Sequence, residues 1–170
     1  MLEALGQRHP GFRYHGLDVV RSVVADNQRR FAQQQTWAFE LADITQGPLP
    51  SGYELILCRD ALQHLPFSAV IAALENFARS DTRYLLVGSY MRLGGNKNIA
   101  AGQAFDIDLM QAPFGLDAPL MAYNELTHHL TNGSFADKHL LLYSMEALRA
   151  VDWDAMRERA AAVAASARAR

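Results

Sequence analysis

The hydrophobic positions along the chain change period several times, and each change marks an element. Leu2 and Leu5 share a helical face before Pro10 and Gly11, so residues 1–8 read as the end of a helix. FRYHGLDVV, residues 12–20, alternates and then turns apolar around an acid, which predicts a strand. SVVADNQRRFAQQ after it has helical spacing with Val23, Val24 and Phe31 inward. WAFELADI at 37–44 predicts a second strand ending in Asp43, and YELILCRDAL at 53–62 begins as a third beyond the turn-rich TQGPLPSG. Pro66 fits the first turn of a helix carrying Val70, Ile71, Leu74 and Phe77, and TRYLLVGSY predicts a buried strand after it. From 91 to 136 the pattern weakens into a loop-rich stretch with LGGNKN and QAPFGLDAP, leaving room for one helical turn. KHLLLYSM returns as a strand, and the alanine-rich end predicts a helix with a frayed tail.

Strands separated by helical segments pair in parallel through right-handed crossovers, which predicts a three-layer α/β domain over residues 1–150, followed by a C-terminal helix and tail at 151–170. Half of the 170 residues are hydrophobic and a fifth are charged, as in a folded globular protein. A formal charge of -2 leaves no surplus to attract a polyanion, so nucleic acid is not an expected partner. Cys58 is the only cysteine, which excludes an internal disulfide and points to a reducing, cytoplasmic setting. No apolar run approaches the roughly 20 residues that cross a bilayer, so no membrane association is expected.

Ligands in open α/β sheets bind beyond the carboxyl ends of the strands, where strand order reverses. Asp18, Asp43 and Asp60 stand at such ends. A carboxylate at Asp18 can accept two hydrogen bonds from the vicinal hydroxyls of a ribose, or it can cap the helix that follows. Asp43 can accept from the exocyclic amine of an adenine, with Ile44 offering the ring an apolar face, or it can close its own turn. In LILCRDALQHLP an apolar strand runs into Arg59, Asp60, Gln63 and His64 before a helix that starts at a proline. His64 is a candidate general base, because imidazole changes charge near neutral pH; capping or packing is the alternative. Glu125, His128 and His129 have helical spacing, but adjacent histidines on a helix point apart, so no metal is expected.

LILCRDALQHLP, with the acids at 18 and 43 before it, resembles the class I S-adenosylmethionine-dependent methyltransferases over residues 12–90. The resemblance implies a Rossmann-like fold, mostly parallel with a C-terminal antiparallel strand, and S-adenosylmethionine as cofactor. Asp18 and Val19 would then hold the ribose, Asp43 and Ile44 the adenine, and Cys58, Arg59 and Asp60 would line the cofactor near the reacting methyl. Residues 91–120 would cover a small-molecule acceptor, with Tyr90, Phe105 and Phe114 against it. The family's first strand and glycine-rich turn have no counterpart in this sequence. Their absence predicts an empty central strand position, weak cofactor binding, and a homodimer or strand-swapped assembly. Two other readings remain open: a non-catalytic methyltransferase-like subunit or truncated gene product, and a nucleotide-binding oxidoreductase.

Overall fold

The computed structural model of the protein describes residues 2–9, 11–91, 94–125 and 137–168. Helix α1, Leu2–Arg8, leads to strand β1, Tyr14–Asp18, then helix α2, Arg21–Arg30, and strand β2, Trp37–Leu41. The sequence reading of a helix ending near residue 8 holds; Met1 and Pro10 lie outside the described residues. β1 and β2 pair in parallel from Tyr14 beside Trp37 to Asp18 beside Leu41. Aromatic rings bind this unit: Phe31 lies 5.1 Å from Trp37 and 5.5 Å from Phe39 between ring centroids. α1 rests on the same cluster. A Cβ at Gly6 would sit 2.8 Å from the Trp37 ring, so only glycine permits that approach without displacing the indole. Val24 turns inward as its spacing predicts, whereas Val23 is exposed, because only one narrow stripe of α2 faces the strands.

Strand β3, Leu55–Cys58, a single 3-10 turn at Leu62–His64 and helix α3, Phe67–Ala78, lead to strand β4, Tyr84–Tyr90. Strand β5, Met121–Asn124, strand β6, Lys138–Ser144, helix α4, Met145–Arg149, and helix α5, Trp153–Arg168, complete the described chain. These strands form a second sheet in the order β3-β4-β6-β5. β3 and β4 are parallel, and β6 runs antiparallel to both of its neighbours. β3, β4 and β5 thus share one direction, and β6 is the antiparallel strand among those described, as the sequence reading of KHLLLYSM expects. β5 was hidden there, since its four residues form a strand by pairing with β6 and carry no alternation long enough to recognise.

Register divides the second sheet into two faces. Cys58, Leu85, Val87, Leu141 and Tyr143 pack against α3, α4 and α5 in one core, which Leu109, Phe114 and Leu116 of the long loop also enter. Met156 and Ala160 place α5 in that same core. On the opposite face Leu55 and Leu57 remain 45 % and 41 % exposed, in a strand whose composition is that of a buried one. Among the described residues, β1 and β3 are not paired with each other, so the sheet is split between them. Side chains bridge the split. The Arg13 guanidinium lies over the Tyr53 ring at 5.0 Å and donates to the Gly52 carbonyl, and Asn76 of α3 donates to the carbonyl of Ile44.

Candidate functional site

The acids singled out by the sequence each stand at or just beyond the carboxyl end of a strand. Asp18 closes β1, and the Ala42 N–H donates to its carbonyl, which draws the end of β2 and Asp43 alongside. The Asp18 carboxylate accepts from the Val20 N–H at 2.8 Å through Oδ1. It shapes the strand-to-helix turn without serving as the cap of α2, whose capping position is Val20. Val19 is exposed beside it. Asp43 accepts from the N–H and hydroxyl of Thr45 through Oδ1 and from the Gln46 amide through Oδ2. These bonds, the Thr45 N–H first, hold its carboxyl below the usual range. Ile44 packs part-buried against the core.

Beyond β3 the chain turns sharply. Cys58 is buried, and burial pushes its thiol up to about 12, so its side chain is a core group and not a nucleophile. Asp60 adopts φ 58°, a left-handed conformation that residues with a Cβ rarely take and that Asp tolerates better than most. Four charges hold that corner. Arg59 donates through Nε to Glu125 at 2.6 Å and meets Asp60 through Nη1 at 3.0 Å. Lys138, the first residue of β6, reaches Asp60 Oδ1 at 2.6 Å and Glu125 Oε2 at 3.4 Å. Those two oxygens have no aligned hydrogen bond, so Lys138 meets them as a charge. The bond to Glu125, ahead of the nearby carboxylate charges, raises the Arg59 guanidinium further above its ordinary range.

The 3-10 turn after β3 presents His64 at the surface. Its Nδ1 lies 3.1 Å from the Gln103 carbonyl, which can only accept, so in the neutral ring the proton sits on Nδ1 and Nε2 is the acceptor. The loop keeps this geometry through Gly102 N–H to the His64 carbonyl, Phe105 N–H to the Gln63 carbonyl, and Asn98 Oδ1 accepting from Phe67 N–H at the start of α3. Gln63 lies between two groups: its amide nitrogen is 3.5 Å from His64 Nε2 and its oxygen accepts from the Tyr90 hydroxyl at 3.3 Å. Burial, with the charges of Asp106, Asp60, Glu125 and Asp137 behind it, pushes the Tyr90 phenol up to about 12. Tyr90 therefore stays protonated and donates.

No family model and no curated protein matches the sequence. Solved structures do match the fold. The chain aligns with an O-methyltransferase from neocarzinostatin biosynthesis, solved with S-adenosylmethionine and 2-hydroxy-5-methyl naphthoic acid. The TM-score is 0.59 at 16 % identity, over 84 % of this chain and 45 % of that one. It aligns with the magnesium protoporphyrin IX methyltransferase of Synechocystis PCC 6803, solved with S-adenosylmethionine, at a TM-score of 0.55 and 18 % identity, over 83 % and 62 %. A third match is the O-methyltransferase of a trans-AT PKS multienzyme of Brevibacillus brevis with S-adenosyl-L-homocysteine, at 0.58 and 10 % identity, over 95 % and 67 %. The fold is that of the class I S-adenosylmethionine-dependent methyltransferases. This chain spans less than half the length of the neocarzinostatin enzyme.

On this methyltransferase fold the sequence-predicted residues fall into three groups. Asp18, Val19, Asp43 and Ile44 gather at the ends of β1 and β2, and Arg59, Asp60, His64 and Tyr90 gather at the ends of β3 and β4. Phe105 is half-buried in the loop over Gln63. Phe114 is different: it is 0 % exposed, edge-to-face with Phe67 at 5.4 Å, and belongs to the core, not to an acceptor surface. Its place follows from packing, because the loop folds back over α3 and an aromatic side chain there gains most by burial. Sequence reasoning missed Lys138 and set Glu125 beside a rejected metal site. A lysine opening an apolar strand was the available signal. His128 and His129 lie outside the described residues. No described helix is long and apolar enough to cross a membrane.

Proposed function

We propose that this chain binds S-adenosylmethionine across the ends of β1, β2 and β3 and directs its methyl group to a small-molecule acceptor. The observation that carries the reading is that Asp18, Asp43 and the Arg59–Asp60 corner each stand at or just beyond the carboxyl end of a strand in a methyltransferase fold. The residues fit the nucleoside half of the cofactor. Asp18 keeps Oδ2 for ribose hydroxyls, since its one hydrogen bond among those found uses Oδ1. Asp43 has its carboxylate oriented by Thr45 and Gln46 with one lone pair left for an amine, and Val19 and Ile44 offer apolar surface to the ring. Bound S-adenosylmethionine supplies a methyl group already activated on a positively charged sulfur. His64, with Nδ1–H fixed on Gln103, offers Nε2 to take the proton of an acceptor O–H or N–H. Tyr90, whose hydroxyl is joined to His64 through Gln63, and Phe105, whose N–H is held by the Gln63 carbonyl, would form the acceptor side.

A second reading, a methyltransferase-like subunit that works through a partner, is supported by the uncovered Leu55 and Leu57. Titration of the 15N-labelled chain with S-adenosyl-L-homocysteine separates the two. Under the first reading the amides of Asp18, Val19, Asp43 and Ile44 shift together and saturate. Absence of any shift up to about 1 mM, a binding energy of only about -4 kcal/mol, removes the cofactor assignment and leaves the subunit reading.

A further inference from the structure

We propose that Lys138 and Glu125 are positioning residues for the cofactor site, holding the left-handed corner at Asp60 in its working shape from the far side of the sheet. The inference rests on the reading of that corner as part of the S-adenosylmethionine site. Asp60 pays for φ 58° with backbone strain, and such strain persists only where the surroundings over-determine it. Those surroundings are not local. Asp60 follows β3, whereas Lys138 opens β6 and Glu125 follows β5, the most distant strand of the sheet. Lys138 is 8 % exposed and takes one oxygen of Asp60, while Arg59 takes the other and is itself held by Glu125. Both Asp60 oxygens are thereby fixed, and the carboxylate cannot rotate to relieve the backbone.

Stability alone does not account for the arrangement. Burying Lys138 and Glu125 sacrifices their hydration, and well-packed apolar side chains in such places are often equally stable or more so. What the charges provide is direction: they fix the order in which β3 hands Arg59 and Asp60 to the strand ends where ligands bind in α/β sheets. The antiparallel β5–β6 pair, which closes the sheet, then also sets the geometry of a site built on the parallel strands. Glu125 N–H bonded to the Lys138 carbonyl keeps the two side chains in register for this task.

The test compares wild type with Lys138→Met, Lys138→Arg, Asp60→Gly and the Lys138→Met/Asp60→Gly double variant. Two quantities are read in each. The first is the conformation of residue 60, from its three-bond HN–Hα coupling and carbon shifts; the second is affinity for S-adenosyl-L-homocysteine. Lys138→Met is expected to move Asp60 out of the left-handed region and to weaken affinity by about ten-fold or more, the loss of about one charged hydrogen bond to the ligand. Lys138→Arg, which keeps the charge, should restore both. Glycine accepts positive φ without strain, so Lys138→Met should add nothing in the Asp60→Gly background. If Lys138→Met lowers the melting temperature but leaves residue 60 and the affinity unchanged, the pair is only structural and the proposal is overturned. If wild type shows no affinity, the cofactor reading fails. The conformation of Asp60 in Lys138→Met then decides the positioning claim alone: movement restored by Lys138→Arg supports it, and no movement ends it.

Discussion

Replacing Phe114 by alanine separates a packing role from an acceptor-binding one. The ring is fully buried, meets Phe67 edge-to-face at 5.4 Å, and shares a core with Leu109, Leu116 and the inner face of α3. Truncating such a side chain removes its transfer energy and leaves a cavity, a combined loss of about 3 to 5 kcal/mol. About 0.5 to 1.5 kcal/mol of that belongs to the aromatic pair. In a chain of this size each kcal/mol lowers the melting temperature by about 2 to 4 °C, so the variant should melt roughly 6 to 20 °C below wild type. Urea unfolding followed by circular dichroism measures the loss directly, with the slope unchanged if only stability has altered. Phe105→Ala provides the control. That ring is half-buried, and about 1 to 2 kcal/mol is expected. If Phe114→Ala costs less than about 1 kcal/mol, or no more than Phe105→Ala, the burial argument is wrong and Phe114 belongs again among the acceptor contacts.

Other expectations follow from the same geometry. Asp18→Ala should weaken S-adenosyl-L-homocysteine binding by about 1.5 to 3 kcal/mol per charged hydrogen bond lost, and more than Asp43→Ala, whose carboxylate is largely occupied by Thr45 and Gln46. Equal affinities by calorimetry for wild type and the Asp18 variant would end the ribose assignment. Cys58 should resist alkylation in the native protein at pH 8 and react freely in urea, because burial raises its thiol to about 12. Its contribution to stability is complete below the unfolded thiol pKa of about 8.5 and is lost as pH rises towards the folded value. Cys58→Ala should therefore show a flatter fall in urea midpoint between pH 9 and 11 than wild type, and identical slopes would contradict the shift.

Much of the architecture was written in local pattern. The periods of 12–20, 37–44 and 82–90 could be satisfied only by strands, and α3 carries Val70, Ile71, Leu74 and Phe77 at helical spacing, all of them buried as that spacing demands. The acids at the ends of β1 and β2 and after β3 were legible for the same reason: a polar residue that breaks an apolar run marks where a buried strand emerges. Short-range chemistry is all that such signals need.

Other features depend on contacts between residues far apart in sequence, and no local period encodes those. β5 exists through its partner β6, and Phe114 is a core residue only because the loop returns over α3. Lys138 reads locally as the polar start of a strand, yet 78 positions separate it from Asp60, which it meets at 2.6 Å. The His64 tautomer is set by the carbonyl of Gln103, 39 residues on. Sequence by itself determined which segments could form strands and helices and which acids would stand at their ends. Tertiary structure alone decided which charges meet, which aromatic ring is buried and which nitrogen of His64 is left to accept a proton, because burial and ion pairing are properties of the packed neighbourhood.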